Sequence, residues 1–562
     1  MIFYPAMEAA DTSEDRRRSS FGRAGSLPVL AIVILLVVLG LLIYSNVLRN
    51  GVFLFDDFEY VVDNPLIRNP SLFADMTDPR QIGYLSFSLN YALSGDSSPF
   101  GYHLVNVLIH IANAIMVFFL LRIIMSILRP ADSSVATPSD AGTMALPGLA
   151  ALIFLAHPLE TQAVSYVTQR FTSLSALFYI FAILSYLAAR VRFEKYAPGR
   201  AAYSLLALSL CSTVLAMKTK EVSFTIPFMM AAFELLLFRN SSFSKRRFYF
   251  LIPFLATLII IPLSLFGPEW GIMAPGRGVD EITRRDKLYD LFLRSPYEYL
   301  LTQFRVIVMY IRLMVFPVRQ LAVYDLRAST SFFELSVVLS LLLLLSLAAA
   351  AAWCWRRARR AEPANAADLR LVTLGMVWFF ITLSIESSVI PIKDLIFEHR
   401  AYLPSIGFFV SLSVVLLRLA GKVAPDADLR LRAALVSAVI VIPLSAATYM
   451  RNQVWTDEVL FWDDVVQKTG KAIGYNNRGN AYLKAGKYEL ALKDLDKTIS
   501  FFPSATDRLA WENSDFIPVN MAKTYMSRAT VYAALGDRER ANADNQMARE
   551  MMMIAPGMSG KR

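Results

Sequence analysis

Apolar runs close to the length that crosses a bilayer recur along the first 450 residues of the chain. A membrane-spanning helix needs about 20 consecutive apolar residues. The first such run, Leu27 to Leu48, is followed by ten more. Hydrophobic residues make up 56% of the 562 residues, which is too high a share for an ordinary soluble protein. We therefore expect an all-α, polytopic membrane protein.

The first run superficially resembles a signal peptide because it follows the basic stretch RRRSSFGR. It is longer than the roughly 7–15 apolar residues of a signal core, and no A-x-A cleavage site follows it. We expect a retained signal anchor, with residues 1–26 as a cytoplasmic tail.

The formal net charge of +10 does not indicate a nucleic-acid ligand. The basic residues cluster in short loops between apolar runs, where the positive-inside rule expects them. The two cysteines, Cys211 and Cys354, lie in apolar segments, which argues against a disulfide framework or a cysteine zinc site.

The basic clusters predict the topology. If all six are cytoplasmic, eleven spans result, at 27–48, 102–125, 147–162, 171–190, 201–217, 221–239, 248–267, 331–353, 371–390, 404–419 and 432–450. The membrane domain then covers 27–450, with 49–101 as its first outer loop, and residues 451–562 lie outside the cytoplasm.

One further apolar run, 299–316, carries Arg305 and Arg312 and is interrupted by Gln303 and Tyr310. Counting it as a span would place the basic WRRARR stretch outside. An amphipathic or re-entrant helix on the outer face fits better.

The tail after residue 450 has the spacing of tetratricopeptide repeats, in 476–504 and again in 526–550. Tyr482 and Gly486 of the first copy match Tyr532 and Gly536 of the second, 50 residues later instead of the usual 34. The preceding 454–470 is a candidate half repeat. Because about three units are needed for a continuous core, we expect this array to lean on the membrane domain.

Two adjacent carboxylates, Asp56 and Asp57, lie just beyond the first span in GVFLFDDFEYVVDNP. Neighbouring acidic groups raise each other's pKa, which suits a general base for an alcohol. The alternative is a helix cap or a solvated loop. The sequence does not choose between the two positions, and Glu59 ranks behind both.

Other ionisable residues gather at the same predicted face, where charge at membrane depth is costly and usually functional. His157 and Glu160 are spaced to face each other. With His399 they could bind a metal, but a structural histidine is the preferred interpretation. A second set either reaches toward lipid headgroups or forms a pocket for a lipid phosphate: Arg170, Lys218, Lys220, Glu221, Arg305, Glu398, His399 and Arg400.

The order of FDDFEYVVDNP, HPLETQAVSYVTQR, KTKE, FEHRAYLPSIGF and the repeats resembles the transmembrane-and-tetratricopeptide-repeat protein O-mannosyltransferases of the GT-C superfamily, and in particular their bacterial relatives. The resemblance implies about eleven spans, a catalytic acid in the first outer loop, a polyprenyl-phosphate-linked sugar donor and a protein Ser or Thr acceptor. The family's motifs map onto Asp56–Asp57, Lys220–Glu221 and Glu398–Arg400. The tail has fewer repeats than the eukaryotic members.

The predicted function is an inverting glycosyl transfer at the periplasmic side of a bacterial inner membrane. No Rossmann glycine fingerprint is present, no cofactor is predicted, and a divalent metal stays open without being indicated. The expected partners are the lipid-linked donor, an exported or membrane protein acceptor held by the repeats, and membrane lipids. The rival functions are a transporter or flippase of lipid-linked sugars and a non-catalytic assembly scaffold.

Overall fold

The computed structural model describes residues 12–69, 80–94, 98–128, 140–195, 199–238, 247–266, 295–324, 326–392, 394–502 and 518–558. Side chains are described over most of these ranges, beginning at Leu27. The described residues form helices and connecting turns, with no strand among them. The predicted all-α fold is confirmed, whereas residues 268–294, which follow the predicted span 248–267, lie outside the described residues.

Seven helical stretches of the described chain are long and apolar enough to cross a membrane: Pro99–Leu128, Val167–Glu194, Arg200–Met217, Leu335–Ala358, Asn365–Leu383, Glu398–Val423 and Leu429–Trp455. A bent pair, Met144–Ala156 with Pro158–Ser165, brings the count to eight. The first apolar run lies in a helix, Thr12–Ile43, followed by a short helix, Ser45–Asn50. The predicted count of eleven spans is not confirmed.

Two of the predicted spans are interrupted. The 221–239 run begins as a tight 3-10 turn, Glu221–Thr225, before the helix Ile226–Leu236. The 248–267 run is divided into short helices, Ile252–Ala256 and Ile260–Phe266. Prolines explain the breaks, because a proline ring lacks the N–H of the helical ladder and disfavours helical geometry in the residue before it.

The predicted span 147–162 bends by 50° at His157. Beyond the bend the chain forms three short helical turns, Pro158–Glu160, Thr161–Ser165 and Val167–Gln169, and then enters the long helix Arg170–Lys195. Nearly every residue of this stretch is buried. We call residues 157–169 the connector, because each half of the candidate site is attached to it.

The run at 299–316 forms the helix Pro296–Val315, which is not among the candidate spans. Its polar side chains hold the segment that follows the helix Pro363–Leu383. Tyr299 donates to the carbonyl of Glu386 at 2.8 Å, Gln303 to that of Leu395 at 3.0 Å, and Tyr310 to that of Phe397 at 2.8 Å. The helix therefore lies against the loop that carries the Glu398–Arg400 motif.

The repeats form the helix pairs Ala472–Lys484 with Tyr488–Ile499 and Pro518–Ala534 with Arg538–Met558. Arg478 makes two hydrogen bonds to the carboxylate of Asp494, at 2.7 and 2.8 Å. Fifty residues later Arg528 makes the same two bonds to Asp544, both at 2.7 Å. The predicted 50-residue repeat is therefore present in the packing as well as in the sequence.

The helix Glu458–Thr469 serves as the predicted half repeat. Its Asp463 pairs with Arg478 at 2.6 Å, as Asp496 of the first repeat pairs with Arg528 at 2.6 Å. Its aromatic side chains form a buried cluster with the membrane domain, made of Val47, Leu54, Tyr166, Ala322, Trp455, Phe461, Trp462, Val465 and Ala481. The repeats thus lean on the membrane domain, as expected.

Two glycines hold the helices Pro363–Leu383 and Tyr402–Val423 at close range. A Cβ atom on Gly407 would lie 2.3 Å from the carbonyl oxygen of Gly375, and a Cβ on Gly375 would lie 2.3 Å from that of Gly407. Small residues permit such backbone contact between membrane helices. The crossing fixes the two elements between which Glu386 and Arg400 lie.

We expect Gly407→Ala to destabilise the protein by about 1–3 kcal/mol, because the added methyl group meets backbone that cannot rotate away. Gly148→Ala is the matched control, since its Cβ would meet its nearest neighbour at 3.5 Å. That substitution should be neutral or stabilising by up to about 1 kcal/mol, through helix propensity. Thermal unfolding in detergent measures both, and equal shifts for the two variants would contradict the proposed close crossing.

Candidate functional site

The first outer loop folds into a tight turn around the two carboxylates. The amide of Asp57 donates to the carbonyl of Leu54 at 2.9 Å, and the carboxylate of Asp57 accepts from the amide of Leu54 at 2.9 Å. Phe55, inside this turn, has a φ of +50°. Non-glycine residues seldom occupy this left-handed region, so the reciprocal bonds hold the turn against a local preference.

Asp57 is fully buried and attaches the turn to the connector. Its carboxylate accepts from the amide of Thr168 at 2.7 Å and also from the Thr168 hydroxyl. Burial raises the pKa of Asp57 to about 7, although the hydrogen bonds from Thr168 and Leu54 act in the opposite direction. Both carboxylate oxygens are engaged within the protein, so this residue has the geometry of a cap.

Asp56 is only half-buried. Its amide donates to the hydroxyl of Tyr166 at 2.9 Å, and its carboxylate accepts a hydrogen bond from the same hydroxyl. Burial raises the pKa of Tyr166 well above its usual range, and the charges of Asp56 and Asp57 raise it further. Tyr166 therefore stays protonated and orients Asp56, which is the more accessible of the two carboxylates.

The connector also holds the loop that carries the Glu398–Arg400 motif. The side-chain oxygen of Gln162 accepts from the amide of His399 at 2.9 Å and contacts the ring Nδ1 at 3.2 Å. Gln162 and Tyr166 lie four residues apart along this helical stretch, about 6 Å at the rise of an α-helix. One short rigid element therefore positions the Asp56 turn and the His399 loop relative to each other.

Cations surround His399. Lys220, Arg400 and Arg80 lie close enough to His399 for their positive charges to act on its ring. With the proton on Nδ1 toward Gln162, the other ring nitrogen is a hydrogen-bond acceptor. That nitrogen makes no hydrogen bond to the described part of the chain.

Arg400 is buried, and its Nη1 atom has no hydrogen-bond partner among the described residues. Its guanidinium lies 5.7 Å from the ring centre of Phe397, and the charges of Glu386 and Asp394 act on it. A buried donor without a partner is costly and rare in folded proteins. Such an atom suits an anionic ligand that supplies the missing acceptor.

Lys220 and Arg400 share Glu386 as a charged neighbour. Its ammonium group contacts Glu386 at 2.9 Å and donates to the Thr172 hydroxyl at 2.9 Å. Burial lowers the pKa of Lys220, and the charge of Glu386 opposes that effect. An anionic ligand at this place would add a second counter-charge for Lys220, beside that of Glu386.

The other two candidates of the Lys220 segment, Lys218 and Glu221, also have partners within the protein. Glu221 pairs with Arg80 at 3.4 Å, and Lys218 donates to the Ser264 hydroxyl at 2.8 Å. Arg80 and Tyr166 were not predicted from the sequence. Arg80 gave no motif signal, whereas Tyr166 stands inside a stretch that had been singled out for its histidine and glutamate.

Arg170 does not support the predicted role in phosphate binding. It is fully buried, and its three nitrogens donate to Asn106 at 2.7 Å, Asn90 at 2.8 Å, the Tyr102 carbonyl at 2.9 Å and the Ser86 carbonyl at 3.2 Å. The Phe87 ring centre lies 4.4 Å from the guanidinium. Each of its three nitrogens donates inside the protein, so its geometry is structural.

Two other candidates also have internal roles. Glu398 accepts from the Tyr324 hydroxyl at 2.6 Å and the Leu321 amide at 2.8 Å, and it thereby fastens the 317–324 segment. Arg305 is half-exposed and donates to the Ser329 hydroxyl at 2.7 Å. These contacts place both residues in the scaffold of the site.

His157 and Glu160 do not form a metal site with His399. The two ring nitrogens of His157 are used by the Leu159 amide at 3.2 Å and the Met314 carbonyl at 3.1 Å. Glu160 is fully buried, and neither of its carboxylate oxygens has a hydrogen-bond partner among the described residues. Among the described residues, no group of three His, Cys, Asp or Glu side chains could hold a metal ion.

Comparison with known proteins supplies names for similar chains. The Tetratricopeptide repeat family model matches residues 472–504. The chain is similar to Protein O-mannosyl-transferase TMTC4 of Homo sapiens, with 28% identity over 203 residues, which is 33% of this chain and 27% of the relative. It is similar to Protein O-mannosyl-transferase Tmtc3 of Drosophila melanogaster, with 25% identity over 464 residues, 74% of this chain and 47% of the relative.

A third relative aligns over nearly the whole chain. Protein O-mannosyl-transferase TMTC3 of Homo sapiens is 23% identical over 563 aligned positions, which cover 92% of this chain and 54% of the relative. The chain thus spans between about a quarter and about half of the length of these three relatives. No solved structure matches it.

Proposed function

The chain is a relative of the protein O-mannosyl-transferases, and we propose that it is a membrane glycosyltransferase that modifies a hydroxyl of Ser or Thr in a protein. The sugar would be mannose, by analogy with the relatives' names, carried on a polyprenyl phosphate. The observation that carries the proposal is that one connector holds both the turn of Asp56, an accessible carboxylate, and the loop in which Arg400 has a buried donor without a partner among the described residues.

In the proposed reaction the acceptor oxygen forms a bond to the anomeric carbon of the sugar while the bond from that carbon to the phosphate oxygen breaks. The hydroxyl proton passes to Asp56, and the bonding electrons leave with the lipid phosphate. A single displacement of this kind inverts the anomeric configuration. A positioned base contributes on the order of 10²–10⁴ in rate.

The roles follow from the contacts. Asp56 is the base, Tyr166 orients it, and Asp57 caps the turn. Arg400 and Lys220 stabilise the charge that develops on the phosphate, with Arg80 supporting them through its charge. The free ring nitrogen of His399 accepts a hydrogen bond from a sugar hydroxyl.

We expect Asp56→Asn to reduce turnover 10²-fold or more with little change in donor binding or stability, because the amide keeps size but removes basicity. Asp57→Ala should instead destabilise the protein by about 1–3 kcal/mol, since buried amides lose their acceptor. Transfer from a polyprenyl-phosphate mannose to a Ser/Thr peptide, together with thermal unfolding, measures both. Exposed Glu59→Gln is the control. Near-normal turnover in folded Asp56→Asn would exclude it as the base.

We expect Arg400→Ala to weaken donor binding or turnover at least tenfold, on the order of 1.4 kcal/mol, because the phosphate loses a charged donor. Arg312→Ala removes the same charge from an exposed position on the helix Pro296–Val315 and is the matched control. Unchanged donor kinetics in a folded Arg400→Ala protein would assign the arginine a structural role.

The positive-inside rule places this chemistry on the outer side of the membrane, which is the periplasm if the chain is a bacterial inner-membrane protein. The repeats contact the Asp56 turn, so they must share its compartment. We expect a reporter fused after Arg562 to be active only in the form that works outside the cytoplasm. Cytoplasmic activity would place the site on the wrong side.

A further inference from the structure

A carboxylate lies buried in the connector without a counter-charge. Glu160 is fully buried, and neither of its oxygens has a hydrogen-bond partner among the described residues. The charged side chain that acts on it is that of Glu398, which is also acidic. Glu398 has hydrogen-bond donors of its own and a counter-charge in Arg451. The uncompensated charge is therefore that of Glu160.

His157, three residues before Glu160, does not supply the missing positive charge. Its Nδ1 atom accepts a hydrogen bond from the Leu159 amide at 3.2 Å, so this nitrogen carries no proton. The other ring nitrogen contacts the Met314 carbonyl at 3.1 Å and therefore carries the N–H. The ring is thus neutral. Because a buried ion without a counter-charge is very costly, folded proteins pair it or neutralise it.

Side-chain oxygens from two other elements lie near Glu160. The Tyr44 hydroxyl is buried, has no hydrogen-bond partner in the described part of the chain, and lies close enough for the charge of Glu160 to act on it. Ser405 is also a close neighbour of Glu160, and its hydroxyl donates to the Tyr402 carbonyl at 2.7 Å. The lone pairs of the Ser405 oxygen remain available to a ligand.

A polar network holds the neighbouring rings in place. The Tyr402 hydroxyl contacts Nδ1 of His110 at 2.8 Å and accepts from the Asn113 side chain at 2.9 Å. The His110 ring packs edge-on against Tyr44, with ring centres 5.5 Å apart. His110 and Asn113 both belong to the helix Pro99–Leu128. The network therefore fixes the rings of Tyr44 and Tyr402 against the same helix.

We propose that Glu160, Tyr44 and Ser405 bind a single alkali cation, Na⁺. Hard cations take oxygen ligands, and these three side chains present a carboxylate and two hydroxyl oxygens. One uncompensated carboxylate balances one positive charge, which favours a monovalent ion over Mg²⁺ or Ca²⁺. The site differs from the histidine-containing metal site excluded above, because all of its ligand atoms are oxygens.

Protonation of Glu160 is the alternative, and it fits the contacts less well. A carboxylic acid carries an O–H group that needs an acceptor. Neither oxygen of Glu160 has a partner within hydrogen-bond distance among the described residues. A proton on Glu160 would also leave the buried Tyr44 hydroxyl without a partner in that part of the chain. A cation that contacts all three side chains satisfies them together.

The proposed ion joins the connector to two further elements. Tyr44 lies between the helices Thr12–Ile43 and Ser45–Asn50, and Ser405 lies in the helix Tyr402–Val423. Gln162, which holds the amide of His399, follows Glu160 by two residues. The ion therefore supports the segment that positions the His399 loop, and it takes no part in the proposed reaction.

The test uses the full-length protein in detergent, prepared without Na⁺ in N-methyl-D-glucamine chloride. We expect saturable binding of radioactive Na⁺, with a single ion per chain. Replacing N-methyl-D-glucamine by Na⁺ at constant ionic strength should raise the melting temperature by at least about 2 °C, because a ligand that binds only the folded state stabilises it by mass action.

Two variants and a control locate the site. Glu160→Gln keeps the size of the side chain but removes its charge, so the folded variant should bind no Na⁺ and melt at the same temperature in both salts. Tyr44→Phe removes one ligand oxygen and should weaken Na⁺ binding roughly tenfold or more. Tyr179→Phe is the matched control and should bind Na⁺ normally, because it removes another buried tyrosine hydroxyl, which bonds to Thr225 at 3.1 Å.

A chemical probe of the wild-type protein avoids any question of folding. A carbodiimide reacts with protonated carboxyl groups, and we expect Na⁺ to protect Glu160 from it. Labelling of Glu160 that Na⁺ does not reduce would assign a proton to this residue and overturn the cation site. No saturable Na⁺ binding in the wild-type protein, or equal binding by Glu160→Gln, would overturn it as well. These measurements involve no sugar transfer, so their outcome is independent of the proposed glycosyl transfer.

Discussion

The candidate site depends on a buried guanidinium. Arg170 lies where the connector enters a long apolar helix, and an unsatisfied charge there would cost several kcal/mol. Asparagines and carbonyls of the Gln81–Ser94 and Pro99–Leu128 helices supply acceptors for all of its nitrogens. Satisfying Arg170 therefore fixes these two helices against the connector, and Thr168, two residues earlier, then fixes Asp57.

The elements that were predicted correctly from sequence are those whose signals are local. Each of these signals can be read within one segment of the sequence. They are the long apolar runs, the arginines of the Pro296–Val315 helix, and the Tyr and Gly positions of the repeats. Gly486 and Gly536, with φ of 70° and 84°, occupy turns that favour glycine. The interruptions were missed because hydropathy is averaged over a window of residues, and such an average does not register a single proline. Pro227 lies in one interrupted span, and Pro253 and Pro262 lie in the other.

The site was predicted less completely, since sequence shows where a charge lies but not what satisfies it. Arg170 and Arg400 were indistinguishable as cations at the end of apolar runs. Arg170 has four acceptors drawn from positions 86 to 106, whereas Nη1 of Arg400 has none among the described residues. Arg80 was missed for the same reason, because its pairing with Glu221 joins positions 141 residues apart.

The Asp56 turn connects the membrane domain to the repeats. Holding Phe55 at a φ of +50° costs about 1–2 kcal/mol for a residue that is not glycine. On the side of the membrane domain, the hydrogen bonds that Asp57 accepts from the amides of Thr168 and Leu54 offset this cost. From the other side, the Phe55 ring packs edge-on against Trp462, with centroids 5.9 Å apart. Because both contacts hold one turn, the position of the Asp56 turn is coupled to the docking of the repeats on the membrane domain.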